Sequence, residues 1–379
     1  MYIGFLLHSN IRSGANLAMF EHADRLGRRG HRVQILFQER YFPSSVAFFA
    51  SDPAFEVAYL DDFAAPSEPF DHLITNWWEC PYRFERLPAW RYGFFRHGEE
   101  VPLYDGIGRF FDFAIDLMLG ESLDFYAVST YLQEDLKQRF GQDAVLIRNG
   151  VDLDRISTAT PLLPPRSGRL RVLVEGPLGA GHKRVPETLA MLAALPGIEI
   201  VHVAADGSQA PDIAHALGAI DYRAMGGVYA SCDLLVKLSA LEAQPMPVFE
   251  AFAAGVPGVI SAFPGHEEHI HDGVNAIIVP IDDYQAARAA VAGLLDDPDR
   301  LAALGRGARA TAAPLGWDEP SQRFEAALEA RRADTLVLAR TPRLAPYRQC
   351  YLDVLTLWAR NVILQRELEK AQSAKAGPA

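Results

Sequence analysis

LEAQPMPVFEAFAAGVP, residues 241–257, directly follows an apolar run that ends near Leu238, and its prolines dictate its shape. Pro245 and Pro247 cannot sit inside a helix, yet Pro247 suits the first helical position, where its missing N–H is no loss and its φ is already set. The spacing therefore predicts a helix beginning at about Pro247. Glu242 is left in the loop at the strand's C-terminal end, Val248 and Phe249 present unpaired N–H groups, and Glu250 falls in the first turn. Such an end binds anions: a diphosphate placed there meets orphan donors and the positive end of the helix dipole, in the crevice where open α/β sheets hold ligands. A carboxylate beside a diphosphate repels it unless it faces something neutral, and the two acceptor oxygens of Glu250 suit the vicinal hydroxyls of a ribose. The alternative is that Glu250 only complements the helix dipole, worth roughly 0.3 to 1 kcal/mol, and that Glu242 is a solvated loop residue. These residues alone leave both readings open.

Around this stretch the pattern alternates between short apolar runs and helical spacing. Leu170–Val174 precedes a Gly-rich loop, GPLGAGHK (176–183), then come a helix from about Pro186 to Leu195, the run Ile198–Val203, Leu234–Leu238, Val256–Ser261, Ala276–Val279 and a helix from Tyr284 to Leu295. This is a doubly wound α/β pattern. The glycines permit close backbone approach, and Lys183 either sets a compact positive charge against phosphate oxygens or is an exposed lysine at a helix start.

The same alternation occurs earlier. Ile3–Leu7, a loop with Ser13 and Gly14, helical spacing through Leu17, Phe20 and Leu26, and Val33–Phe37 make a βαβ unit. Residues 41–110 are rich in aromatics and prolines, and periodicity orders only two short strands in them, Glu56–Leu60 and His72–Thr75. A helix over Thr130–Phe140, capped by Ser129, leads to Ala144–Ile147 and the turn at Asn149 and Gly150. Prolines 161, 164 and 165 with Ser167 and Gly168 mark a break. The expected organisation is two Rossmann-like domains, 1–165 and 166–330, and a helical tail, 331–379.

Composition limits the function. With 379 residues, a formal charge of -12 and pI near 5.4, the chain lacks the clustered basic excess of a nucleic-acid binder. Cys80, Cys232 and Cys350 lie far apart without CxxC spacing, so no disulfide framework or zinc site is indicated. No 18-residue uncharged apolar run and no signal-peptide pattern occur, which points to the cytoplasm. Leu352, Leu355, Leu357, Trp358, Val362 and Leu364 give the tail an amphipathic spacing, for docking on its own domain or for a peripheral inner-membrane or protein contact.

Residues 241–279 resemble the donor-binding core of GT-B glycosyltransferases, in particular the large retaining family 4. Glu242 and Glu250 reproduce its E-x7-E spacing, and the likeness continues through AFAAGVPGVIS and GHEEHIHDGVNAIIVP. It extends to IRNGVD (147–152), to Lys183, and to SGANLAMFEHADRLGRRGHRV (13–33).

The resemblance implies a GT-B fold with two Rossmann-like domains facing a cleft, and transfer of a hexosyl or deoxyhexosyl group, with retention, from a nucleoside diphosphate sugar to a hydroxyl acceptor. That acceptor is a glycan, a lipid-linked molecule or a small molecule, in bacterial surface polysaccharide or glycan biosynthesis. It implies that Glu250 binds the donor ribose, Glu242 the transferred sugar, and Lys183 the leaving diphosphate. Gly14, Pro247, Val248 and Phe249 face the phosphates, and backbone near Gly218 and Ile220 contacts the base. His97 either contacts sugar or acceptor or is a structural histidine. The aromatic stretch Trp77–Phe113 is assigned to the acceptor side. Neither metal nor tightly bound cofactor is expected.

Three positions depart from the family pattern. Pro177 stands where an arginine is usual, so that cation is missing or supplied by His182, Arg184 or another residue; Pro245 and Ala276 replace glycines. A metal-dependent GT-A reading rests on Asp152 and Asp154 as a DxD, although a turn and helix start explain them more simply. A non-catalytic GT-B scaffold, or a GT-B epimerase or hydrolase, shares the same fold and nucleotide site.

Overall fold

The computed structural model of the protein describes residues 1–39, 46–50, 52–63, 66–99, 108–165 and 168–333. One sheet contains β1 (Tyr2–Ser9), β2 (Arg32–Glu39), β3 (Glu56–Tyr59), β4 (Phe70–Thr75), β5 (Ala89–Arg96), β6 (Asp124–Ala127) and β7 (Ala144–Leu146), in the order β3-β2-β1-β4-β5-β6-β7. The other contains β8 (Leu170–Glu175), β9 (Ile198–Val203), β10 (His215–Gly218), β11 (Leu234–Lys237), β12 (Gly258–Ser261) and β13 (Ala276–Val279), in the order β10-β9-β8-β11-β12-β13. All pairings are parallel. Both sheets reverse their winding once, between β1 and β4 and between β8 and β11, and these switch points open crevices at the strands' C-terminal ends.

The apolar runs become strands because both sheet faces are covered by helices, so alternation is lost and nearly every side chain is buried. Ile3, Phe5, Leu6 and Leu7 of β1 are fully buried, as are Leu234, Leu235 and Val236 of β11. The helix Gly14–Arg28 opens with Ser13 Oγ accepting from Asn16 N–H at 3.1 Å and lays Met19, Phe20, Ala23 and Leu26 on the first core. Ser129 caps Thr130–Phe140 as the sequence predicts, accepting from Leu132 N–H at 3.3 Å.

Two chain crossings run side by side between the sheets. Val151 N–H donates to Leu315 O at 2.7 Å, and Gly150 lies so close to Trp317 that an added Cβ would stand 2.5 Å from its Cα. Only glycine fits there. Beyond the second crossing, helix Asp318–Ala333 sends Phe324 and Leu328 into the first core, although the sequence reading grouped it with the second domain. The proline break also packs: Leu162 N–H donates to Gly227 O at 2.9 Å and Leu163 N–H to Ser231 Oγ at 3.0 Å.

Periodicity misses β5, β6, β10 and the helix Gly108–Leu119. The decisive helix spans Met246–Ala253, starting one residue before the expected Pro247. Cys80 and Cys232 are buried free thiols. Among the described residues no helix is long and apolar enough to cross a membrane. The amphipathic tail and Cys350 lie outside the described residues.

Candidate active site

At the switch point of the second sheet, β8 ends on Glu175 and β11 on Lys237. The Gly-rich loop after β8 is tied to the loop after β11 by Ala240 N–H donating to His182 O at 2.8 Å, which brings Lys183 beside Glu242. Lys183 Nζ meets both Glu242 oxygens, at 2.8 and 3.0 Å. Lys237, with 1% of its side chain exposed, reaches Glu175 Oε2 at 2.9 Å and Glu242 Oε1 at 3.1 Å. Ser239 Oγ donates to Glu242 Oε1 at 2.8 Å. The result is a chain of alternating charge: Glu175, Lys237, Glu242, Lys183.

This chain sets the protonation of its members. Burial disfavours the Glu242 carboxylate, but Lys183 and Lys237, with the hydrogen bonds from Lys183 and Ser239, outweigh it and hold its pKa at about 2. Burial works to strip Lys237 of its proton, and the charges of Glu175 and Glu242 reverse that and hold its pKa above the usual lysine range.

Glu250 sits differently. Burial pushes its pKa up, opposed by the charge of Arg155 and a hydrogen bond from Tyr229. Tyr229 OH donates to Oε2 at 2.7 Å, and Arg155 Nη2 stands 3.5 Å from Oε1. Arg155 is itself held by Tyr222 O at 2.8 Å and by Asp152 Oδ2 at 3.2 Å. Asp152 also caps helix Leu153–Ser157 by accepting from Arg155 N–H at 3.1 Å, so the DxD is a helix start.

Glu250 and Pro247 line a cavity of about 160 Å³ between the two sheets, with Gly14 and Ser13 from the first unit and Glu175 and Ile220 from the second. Of the expected site residues, Gly14, Ile220, Pro247 and Glu250 meet here, whereas Lys183 and Glu242 lie off the cavity wall. Val248 and Phe249 point into the second core, and the Val248 N–H, expected to be open, donates to Pro245 O at 2.9 Å because the helix starts early. Gly218, at φ +62°, spends its carbonyl on Ala204 N–H at 3.1 Å and lies off the cavity wall.

His97 is also off that wall. Its Nδ1–H donates to Phe95 O at 3.0 Å, its ring packs 4.6 Å from that of Phe95, and Nε2 is enclosed with no partner among the described residues. Burial drives its pKa down to about 4, against the Phe95 carbonyl. Arg184 is committed elsewhere, to Asp282 at 2.8 and 3.2 Å. Among the described residues, one group has metal-ligand geometry, His31, Glu325 and Glu329, at the opposite, N-terminal end of β2; Glu325 there already pairs with His31 at 2.7 Å and Arg29 at 3.3 Å.

Residues 205–311, which include the helix that carries Glu250, match the family described as Glycosyl transferases group 1. Across 87% of the chain the fold superposes on the HepE protein of Anabaena in complex with UDP, with a TM-score of 0.68 and 16% identity, covering all of that chain. A sucrose-phosphate synthase from Thermosynechococcus elongatus superposes over 88% of the chain and all of its own, with a TM-score of 0.67 and 17% identity. The protein has a GT-B fold.

In sequence, the chain is 35% identical over 160 residues, 42% of its length, to a D-inositol 3-phosphate glycosyltransferase of Thermobispora bispora, of which this covers 34%. It is 34% identical over 192 residues, 47% of its length, to a phosphatidyl-myo-inositol mannosyltransferase of Mycolicibacterium smegmatis, of which this covers 49%. The chain thus spans between a third and a half of these two relatives.

Several residues of the second unit and of the first crossing are not singled out by the sequence. Glu175 and Lys237 had a legible signal: opposite charges closing two buried apolar strands, VLVE and LLVK, which burial tolerates only when paired. Arg155, Tyr229 and Gln244 had none, since their partners lie 95, 21 and 95 residues away in sequence.

Proposed function

We propose that this chain is a glycosyltransferase that takes a hexosyl or deoxyhexosyl group from a nucleoside diphosphate sugar and places it on a hydroxyl acceptor with retention of configuration. The observation that carries this reading is the buried Glu250 carboxylate on the cavity wall, one helix turn from the loop that presents Glu242 beside Lys183. Glu250 accepts from the ribose hydroxyls, a neutral partner for a carboxylate that burial penalises. Lys183 meets the diphosphate, and the ionised Glu242 accepts from hydroxyls of the transferred sugar.

In the transfer, the bond from the anomeric carbon to the diphosphate oxygen breaks, the acceptor oxygen bonds to that carbon, and the acceptor's proton leaves with the diphosphate. The electrostatic task falls to Lys183, because charge develops on the leaving group. His97, neutral near pH 7 and enclosed off the cavity wall, is a structural histidine held against Phe95. Closure of the two units excludes water. The names of the relatives favour a polyol or lipid-linked acceptor, in keeping with glycan or surface-polysaccharide assembly.

The test is transfer itself. The purified protein is incubated with UDP- and GDP-sugars and with inositol phosphate or short glycan acceptors, and products are read by mass spectrometry and by the anomeric proton coupling. A product with the donor's anomeric configuration supports the reading. Nucleotide-sugar binding without any product assigns the chain to the non-catalytic scaffold class instead, and free sugar or an epimer as the only product assigns it to a hydrolase or epimerase.

A further inference from the structure

Lys237 is an unusual residue to find closing a core strand. Its side chain is 1% exposed, so its ammonium has no route to water and depends on Glu175 and Glu242 for its stability. Lys183 has 23% of its side chain exposed and a flexible stem, yet it too is spent on Glu242. Glu242 Oε1 accepts from Lys183, Lys237 and Ser239 together, at 2.8, 3.1 and 2.8 Å. One carboxylate therefore holds two cations where one would neutralise it, and of the two only Lys183, outside the cavity lining, keeps solvent-exposed surface.

We propose that Lys237 is a positioning residue that keeps Glu242 neutralised from below, so that Lys183 can leave that carboxylate and meet the diphosphate of an incoming donor. This rests on the function proposed above. Without Lys237, Glu242 would be a buried carboxylate with Lys183 as its only cation, and pulling Lys183 away would leave it unpaired in a poorly solvated place. With Lys237 present, Glu242 keeps a charged partner at 3.1 Å and a hydroxyl donor at 2.8 Å while Lys183 moves. Glu175 tunes the device from the other side, since it draws Lys237 toward itself at 2.9 Å and so competes with Glu242 for that ammonium.

The readout is the diphosphate increment: the ratio of affinities for UDP over uridine, or GDP over guanosine, by calorimetry on the full chain. Lys237→Met should lower that ratio by about tenfold while leaving nucleoside affinity unchanged. Glu175→Gln should preserve or raise it, because Lys237 then serves Glu242 alone. In a Lys183→Ala background, Lys237→Met should cause no further fall, since Lys237 acts through Lys183. If Lys237→Met does not fold cooperatively, the paired Glu175→Gln/Lys237→Met variant removes both buried charges and should show the same lowered ratio. Equal loss of nucleoside and diphosphate affinity, or a loss undiminished in the Lys183→Ala background, overturns the inference and leaves the proposed function standing. Absence of binding of UDP, GDP, uridine and guanosine to the unaltered protein overturns both.

Discussion

Gln244 grips Asn149 with both atoms of its amide: Oε1 accepts from Asn149 N–H at 2.7 Å, and Nε2 donates to Asn149 O at 3.0 Å. Gln244 belongs to the loop between Glu242 and Glu250, and Asn149 to the first chain crossing. That loop and the crossing are thereby fastened as two adjacent strands would be. Gln244→Ala removes both bonds and leaves two backbone groups in a half-buried place, so urea unfolding should show a loss of about 1–3 kcal/mol. Donor affinity should fall with it. An unchanged midpoint would mean that water replaces the amide without cost.

Glu268 makes a second tie. Its Oε1 accepts from Thr130 N–H at 2.6 Å at the start of a first-unit helix, and its Oε2 takes Arg148 Nη2 at 2.8 Å. Loss of both a helix-terminus acceptor and a partly buried ion pair in Glu268→Ala should cost about 2 kcal/mol in thermal unfolding. Glu268→Gln, which keeps the acceptor, should cost less; equal losses for the two variants would contradict the capping role.

Glu250 should separate stability from function. Its burial raises its pKa, so the ionised form is held at an energetic cost that a neutral amide of the same shape avoids. Glu250→Gln is expected to melt at the same temperature or higher, and to bind donor at least about tenfold more weakly. A variant that melts lower while binding normally would make Glu250 a structural residue.

The helix facing the cleft carries a titrating group. Burial pushes Glu21 to about 7, against the charge of Arg25, whose guanidinium lies 3.4 Å away. The folded protein therefore keeps this proton up to about pH 7, whereas the unfolded chain releases it near the ordinary glutamate value. Stability from this group is full below about pH 4.5 and declines as pH rises through 7, by up to ~3 kcal/mol. Urea midpoints measured at pH 5 and pH 8 should diverge more in the unaltered protein than in Glu21→Gln; parallel shifts would refute the assignment.

Much of this site was legible in the chain itself, and for identifiable reasons. Pro245 and Pro247 constrain the backbone locally, so the placement of Glu242 in a loop and Glu250 in a helix followed from covalent geometry. The helix start one residue early, which engages the Val248 N–H, lies within the ordinary uncertainty of helix ends. Except for β5, β6 and β10, the parallel strands showed as continuous apolar runs. What stayed hidden depends on distance in sequence: Arg155 reaches Glu250, and Asn149 reaches Gln244, only after the two crossings form. Phe324 and Leu328 read as one more surface helix until the second crossing carries them back to the first core. The aromatic stretch hid β5 because Tyr92, Phe94 and Phe95 are all buried, which erases the alternation a strand would otherwise show.

The cavity beside Glu250 is expected to take a nucleoside diphosphate. A thermal-shift panel of UDP, GDP, dTDP and ADP, each near 100 times its expected Kd, tests it most directly, because a ligand bound only by the folded state adds about 2.7 kcal/mol at that excess. At least one of the four should raise the melting temperature by several degrees in the unaltered protein and by much less in Glu250→Ala. No shift with any of them, or the same shift in the variant, would contradict it.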